Sequence, residues 1–166
     1  MNSQYKTIHQ GFSLIEVLIT LVIFSIGLLG LASLQGQSIA SSYNAHLRTQ
    51  ATSLASSMID RMRANRQQAM STDVYITDFG DAPPGSAPSC TVSNCSPDQI
   101  ANLDLLEWKC NLGSYEQQSA CNGLVSQATL PSGDGEIARV AGQTQVTVRW
   151  TDTSGDQHTV SMYTDL

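Results

Sequence analysis

Charge is scarce in this chain. Only 13% of its 166 residues are Asp, Glu, Lys or Arg, and 14 acids face 8 basic residues. A net charge of -6 and a pI near 4.7 argue against nucleic acid as a partner, because neutralising phosphates needs clustered cations. The one basic cluster, Arg61, Arg63 and Arg66, is short and lies near the end of a predicted helix, where it reads as compensation of the helix dipole. No cysteine precedes Cys90, which excludes a lipoprotein signal, and no proline precedes Pro83. A C-x-x-C pair, a G-x-S-x-G elbow and a phosphate-binding loop are all missing, so thiol redox chemistry and hydrolase-type nucleophiles lose their signatures. His9, His46 and His158 have no carboxylate or nucleophile at a telling spacing and read as surface or partly buried side chains. The chain does not read as an enzyme, and no cofactor is implied.

What the chain does have is one long apolar run, GFSLIEVLITLVIFSIGLLGLASL, from Gly11 to Leu34, with Glu16 as its single charge. About 23 helical residues span roughly 35 Å, enough for a hydrocarbon core of about 30 Å. The preceding flank MNSQYKTIHQG is short, polar and weakly basic through Lys6, so it stays cytoplasmic while the remainder is exported. A carboxylate at membrane depth costs roughly 2.5 to 3.5 kcal/mol at a helix centre and less near an end, so Glu16 calls for a partner. A conventional secretory signal, cut after Ser38-Ile39-Ala40, would have an apolar core of about 7 to 15 residues, and this one is longer. A simple uncleaved anchor leaves Glu16 unexplained.

Gly11-Phe12-Ser13-Leu14-Ile15-Glu16-Val17, behind a short polar leader and ahead of an apolar helix, resembles the class III signal of type IV prepilins and type II secretion pseudopilins. The resemblance implies that a prepilin peptidase cuts between Gly11 and Phe12 on the cytoplasmic face and methylates the new amine of Phe12. It also implies that Glu16 neutralises the Phe12 amine of a neighbouring subunit and so sets the assembly register. The physics agrees: Phe12 and Glu16 are four residues, or about 6 Å of helix, apart, and a buried ammonium and carboxylate are tolerable together but costly alone. Loss of the leader removes Lys6 and leaves mature side chains summing to -7, from 7 basic residues and 14 acids.

The helical pattern continues past the apolar run. From Ile39 to about Met70, Tyr43, Leu47, Ala51, Leu54, Met58 and Met62 form one face, opposite Ser42, Arg48, Ser53, Ser56, Asp60 and Arg63. Gly27, Gly30 and Gly36 interrupt it, as points of either bending or close packing. Residues 71–97 read as irregular, with Pro83, Pro84, Gly85 and Pro88 as breakers. Ser96-Pro97-Asp98-Gln99 starts a short helix that runs to about Leu112. Beyond Glu136 alternation takes over. Val146, Val148 and Trp150 share a face, residues 151–156 turn, and His158 to Tyr163 return with Val160 and Met162 inward; Ile137 and Val140 supply a third strand. The fold expected is α+β: a long N-terminal helix, membrane-spanning in its first half, packed on a C-terminal antiparallel sheet, with a disulfide-stapled loop region and short helix between. The expected divisions are a leader over 1–11, a transmembrane and filament-core helix over 12–36, a periplasmic amphipathic helix over 37–70 and a globular head over 71–166.

Cys90, Cys95, Cys110 and Cys121 all follow the membrane segment and so lie in an oxidising compartment. Four cysteines allow three pairings. Cys90–Cys95 with Cys110–Cys121 is favoured, since each pair closes a short loop where regular structure is missing. A zinc site fits these spacings poorly. Asp73, Asp78 and Asp81, and likewise Asp152 and Asp156, match no calcium loop and read as solvated turn acids. Asn94-Cys95-Ser96 matches a glycosylation sequon in form only.

Three later blocks, Leu105-Leu106-Glu107-Trp108-Lys109, Leu130-Pro131-Ser132-Gly133-Asp134-Gly135 and Val146-Thr147-Val148-Arg149-Trp150-Thr151-Asp152, are similar to the PilV-type minor pilins. That resemblance implies a structural subunit that helps prime pilus assembly and sits at or near the tip, with roles in cell adhesion and twitching motility. Implied partners are other minor and major pilins, the inner-membrane assembly platform, the prepilin peptidase and a large tip adhesin. The implied location is the inner membrane of a Gram-negative bacterium, single-pass with a periplasmic head, and then the extracellular pilus. Competing readings are a minor pseudopilin of a type II secretion system and a periplasmic binding domain on an ordinary signal anchor.

Overall fold

The computed structural model describes residues 11, 13–86, 90, 94–124 and 128–166. Its first helix, α1, runs from Leu14 to Ala64. The chain divides into two compact units, Met1–Tyr43 and Asn44–Leu166. In the first, every residue from Leu14 to Tyr43 is exposed. The Thr20 and Ser25 hydroxyls donate to the Val17 and Leu21 carbonyls at 2.8 and 2.7 Å, so neither leaves a free donor on the apolar surface. This helix is long and apolar enough to cross a membrane.

In the second unit, the α1 residues from Asn44 onward bury Leu47, Ala51, Ala55, Met58, Ile59 and Met62. Four of the six stripe residues expected from the periodicity are in this set. Leu54 is half-buried and Tyr43 is exposed, while Ala55 and Ile59 join because the covered arc is wider than a single row. The periodicity predicted one helix to about Met70, but the structure ends α1 at Ala64 and starts α2, Arg66–Ser71, after Asn65. The Asn65 amide donates to the Tyr75 hydroxyl (3.1 Å) and the Pro97 carbonyl (2.8 Å), bonds that fix the break and are invisible to local periodicity.

The third helix, α3, spans Pro97–Leu112. Its start is a full capping box, with Gln99 N donating to Ser96 Oγ (3.3 Å) and Ser96 N to Gln99 Oε1 (2.9 Å). A short 3-10 turn, Ser119–Cys121, follows. The antiparallel sheet has the order β1 (Asp134–Val140), β2 (Gln143–Thr151), β3 (Gln157–Thr164). Val146, Val148, Trp150 and Ile137 meet α1 and α3 in one core; Val160 and Met162 pack at its margin, and Val140 is exposed. A smaller cluster joins Leu106, Cys110 and Cys121.

The disulfides are Cys90–Cys95 and Cys110–Cys121. Cys110 sits in the last turn of α3, so the second bridge closes its short loop by tying a helix end to the 3-10 turn. Two glycines allow the close contacts. A Cβ on Gly135 would fall inside the Trp108 indole and against Leu112, and one on Gly133 would strike the Leu112 carbonyl.

Candidate functional site

Two places in the chain concentrate chemistry. The first is the start of α1. Gly11 is exposed, and an added Cβ there would meet nothing within 4 Å. Phe12, the residue expected to gain a free amine, lies outside the described residues. The Ser13 carbonyl accepts from Glu16 N (3.0 Å) and Val17 N (3.2 Å), which sets Ser13 as the helix cap and Glu16 in the first turn. There a carboxylate is favoured by the positive end of the helix dipole. Glu16 is exposed and, among the described residues, its carboxylate has no hydrogen-bond or ion-pair partner.

Along the helix from Glu16 the surface is largely apolar: Leu14, Ile19, Phe24 and Leu29 are all exposed, Leu29 by 72%. An apolar surface this extensive, exposed among the described residues, belongs in lipid or against other chains. The helix runs without a break through Gly27, Gly30 and Gly36, where a Cβ would touch nothing in this chain.

The second place is in the head, where the three later sequence blocks converge. Lys109 is buried, and its Nζ donates to Asp134 Oδ1 (3.1 Å) and the Asp78 carbonyl (3.0 Å), with the Tyr115 ring centroid 5.7 Å away. Asp134 also accepts from Gly135 N and Gly80 N, both at 2.7 Å, and its Oδ2 lies 3.7 Å from an Arg149 nitrogen. The Arg149 guanidinium in turn covers the Phe79 ring at 4.1 Å. One carboxylate therefore fastens α3, β1, β2 and the loop through Gly80. This is a structural clasp.

Two further polar sets correct the reading of solvated acids and helix-end cations. Arg61 bridges from α1 to Asp104 (3.1 Å) and Glu107 (2.6 Å) on α3, a role beyond compensating its own helix end. Tyr75 donates to the other Asp104 oxygen at 2.8 Å, and burial pushes its phenol well above the ordinary range. Asp152 is buried, not solvated. Its Oδ1 accepts from Ser154 N, Ser154 Oγ and Asp156 N at 2.9, 2.7 and 3.0 Å, and its Oδ2 faces His158 Nε2 at 3.0 Å. The His158 contact first, then the Ser154 hydroxyl and the backbone donors, hold the Asp152 carboxyl well below the usual carboxylate range. A six-residue gap across a turn is the only sequence signal that links these two side chains. Among the described residues no three His, Cys, Asp or Glu side chains gather to hold a metal.

The family model for the prokaryotic N-terminal methylation motif matches residues 7–32, and the Tt1218-like model, described as type IV pilin Tt1218, matches residues 33–106. The two join without a gap and cover more than half of the chain. No curated protein and no solved structure matches it.

Proposed function

The chain is a type IV pilin, and on that premise we propose that it is a minor pilin, a structural subunit that enters the filament without forming its bulk. The observation that carries the pilin part of this reading is the constellation at the start of α1: Gly11, then Phe12, then Glu16 in the first turn of a helix whose apolar side chains are exposed among the described residues. In this reading the leader 1–11 is removed between Gly11 and Phe12 and the new Phe12 amine is methylated. Residues 12–36 then serve first as the transmembrane helix and afterwards as filament core. The rest of α1, to Ala64, continues in the periplasm, and α2 follows the break at Asn65. Within a bundle of such helices, the Phe12 ammonium of one subunit and the Glu16 carboxylate of the next compensate each other. A register that separates them leaves two buried charges unpaired, at a cost of several kcal/mol.

The convergence of the three PilV-like blocks on Asp134 supports the minor-pilin reading, since it gives those blocks one shared physical purpose. A type II secretion pseudopilin would share residues 7–32, but the match over 33–106 is to a type IV pilin, which favours the pilus. The partners are then other pilins, the prepilin peptidase, the inner-membrane assembly platform and a tip adhesin, with the head in the periplasm before export on the pilus. Glu16→Ala tests the pairing: cleavage at Gly11 should proceed, while recovery of the protein in sheared pili should fall to background. Normal recovery of that variant would overturn it.

A further inference from the structure

The two edges of the sheet are built differently. β1 carries Asp134, Glu136 and Arg139, and it exchanges two backbone hydrogen bonds with Thr77, at 3.2 and 2.9 Å. Arg139 also reaches across to the carbonyls of Ala69, Met70 and Thr72 at the end of α2. Charges and covering segments are the usual means by which proteins guard a sheet edge against pairing with another chain. Among the described residues β3 has no charge within it and no segment paired over its outer edge, and only its last residue is reached, by Arg63 to Thr164 Oγ1 at 3.0 Å. Gln157-His158-Thr159-Val160-Ser161-Met162-Tyr163-Thr164 contains no Asp, Glu, Lys, Arg, Pro or Gly. Its register with β2 is continuous over all eight residues, without a bulge. Among the described residues β2 is its sole partner strand, and residues 157–159, Ser161 and Tyr163 are exposed. High β-propensity, no charge and no proline are the features of a strand that templates another.

We infer that β3 is a docking edge for an extended segment of a different polypeptide, one that carries basic residues at both ends of the paired stretch. Charge selects the occupant. Asp156 and Asp165 flank the strand and are both exposed. Two copies paired antiparallel over the full strand put residue 157 opposite 164, and therefore Asp156 opposite Asp165 at each end. Parallel in-register pairing puts each acid beside its own copy. Like charges directly opposite destabilise a pair, and a chain of net charge -6 adds a general repulsion. A strand with Lys or Arg about nine positions apart, roughly 30 Å, meets an acid at both ends instead. Main-chain hydrogen bonds then supply affinity, while Thr159, Ser161 and Tyr163 select side chains on one face. The inference concerns the head alone and holds whether or not Gly11 is a cleavage site.

The full chain in detergent micelles, titrated against a labelled peptide of alternating Thr and Val with Lys at both ends, tests it. Binding should appear by fluorescence anisotropy, with new amide-exchange protection confined to residues 157–164. The same peptide with Asp at both ends should bind about tenfold more weakly, as two end pairs change sign. N-methylation of its four central residues should abolish binding without touching the protein. Three results would overturn the inference: no binding, binding indifferent to N-methylation or to end charge, or protection outside the strand. Concentration-dependent dimerisation that competes with the peptide would assign the edge to a second copy and refute it equally.

Discussion

Removing either partner of the Lys109–Asp134 pair should destabilise the head, and the two removals should not be equivalent. Breaking a buried ion pair by deleting one member costs about 3–5 kcal/mol, because the other charge stays buried without compensation. In Lys109→Met the Asp134 carboxylate keeps Gly80 N, Gly135 N and the nearby Arg149, so the loss should lie near the lower figure. In Asp134→Ala the Lys109 ammonium keeps one carbonyl and the face of Tyr115, while two backbone donors lose their acceptor. That variant should fall near or above the upper figure. Lys109→Met combined with Asp134→Ala should cost less than the two singles together, by about 0.5–3 kcal/mol of coupling. Either single removes a large share of the roughly 5–15 kcal/mol available to a domain. Urea unfolding of the full chain in detergent, followed through Trp108 and Trp150, gives the four values by linear extrapolation. Equal and additive losses would show that Asp134 is not the shared fastening point.

Two further outcomes follow from the same geometry. Asp152 has a carboxyl pKa below its unfolded value, so its contribution to stability is present above about pH 4 and drains away as pH falls below that. Asp152→Asn should therefore flatten the acid limb of a stability-against-pH curve, and an unchanged acid limb would contradict the hydrogen-bond set drawn around it. Gly135→Ala should cost about 1–3 kcal/mol by forcing a methyl into the Trp108 ring, and Trp108→Phe in the same chain should recover part of that loss. Thermal melts of the single and double variants decide the point, and no recovery would sink the steric explanation.

The methylation motif over residues 7–32 and the apolar helix that contains most of it were legible because their signals are local and need no tertiary knowledge. The capping box at Ser96 and the alternation in β2 were legible for the same reason. The clasp at Asp134 was not. Lys109 stands in the last turn of a helix, where a cation reads as dipole compensation, and Asp134 stands between two glycines, where an acid reads as a turn residue. Only the fold, over 25 positions of separation, makes them partners. Asp152 misled in the same way, since burial by α1 and His158 is a tertiary fact. Asn65 ended α1 early because its side chain is held by Tyr75 and by the Pro97 carbonyl, which no periodicity records.

In the function proposed above, Glu16 acquires its partner only when the chain is cut ahead of Phe12. Intact-mass and N-terminal fragment analysis of the mature protein from the membrane fraction tests this most directly. The mature chain should begin at Phe12 bearing one extra methyl group, and the chain should stay uncut when Gly11 is replaced by a bulky residue. A mature N-terminus at Met1 or Ser41 would contradict it.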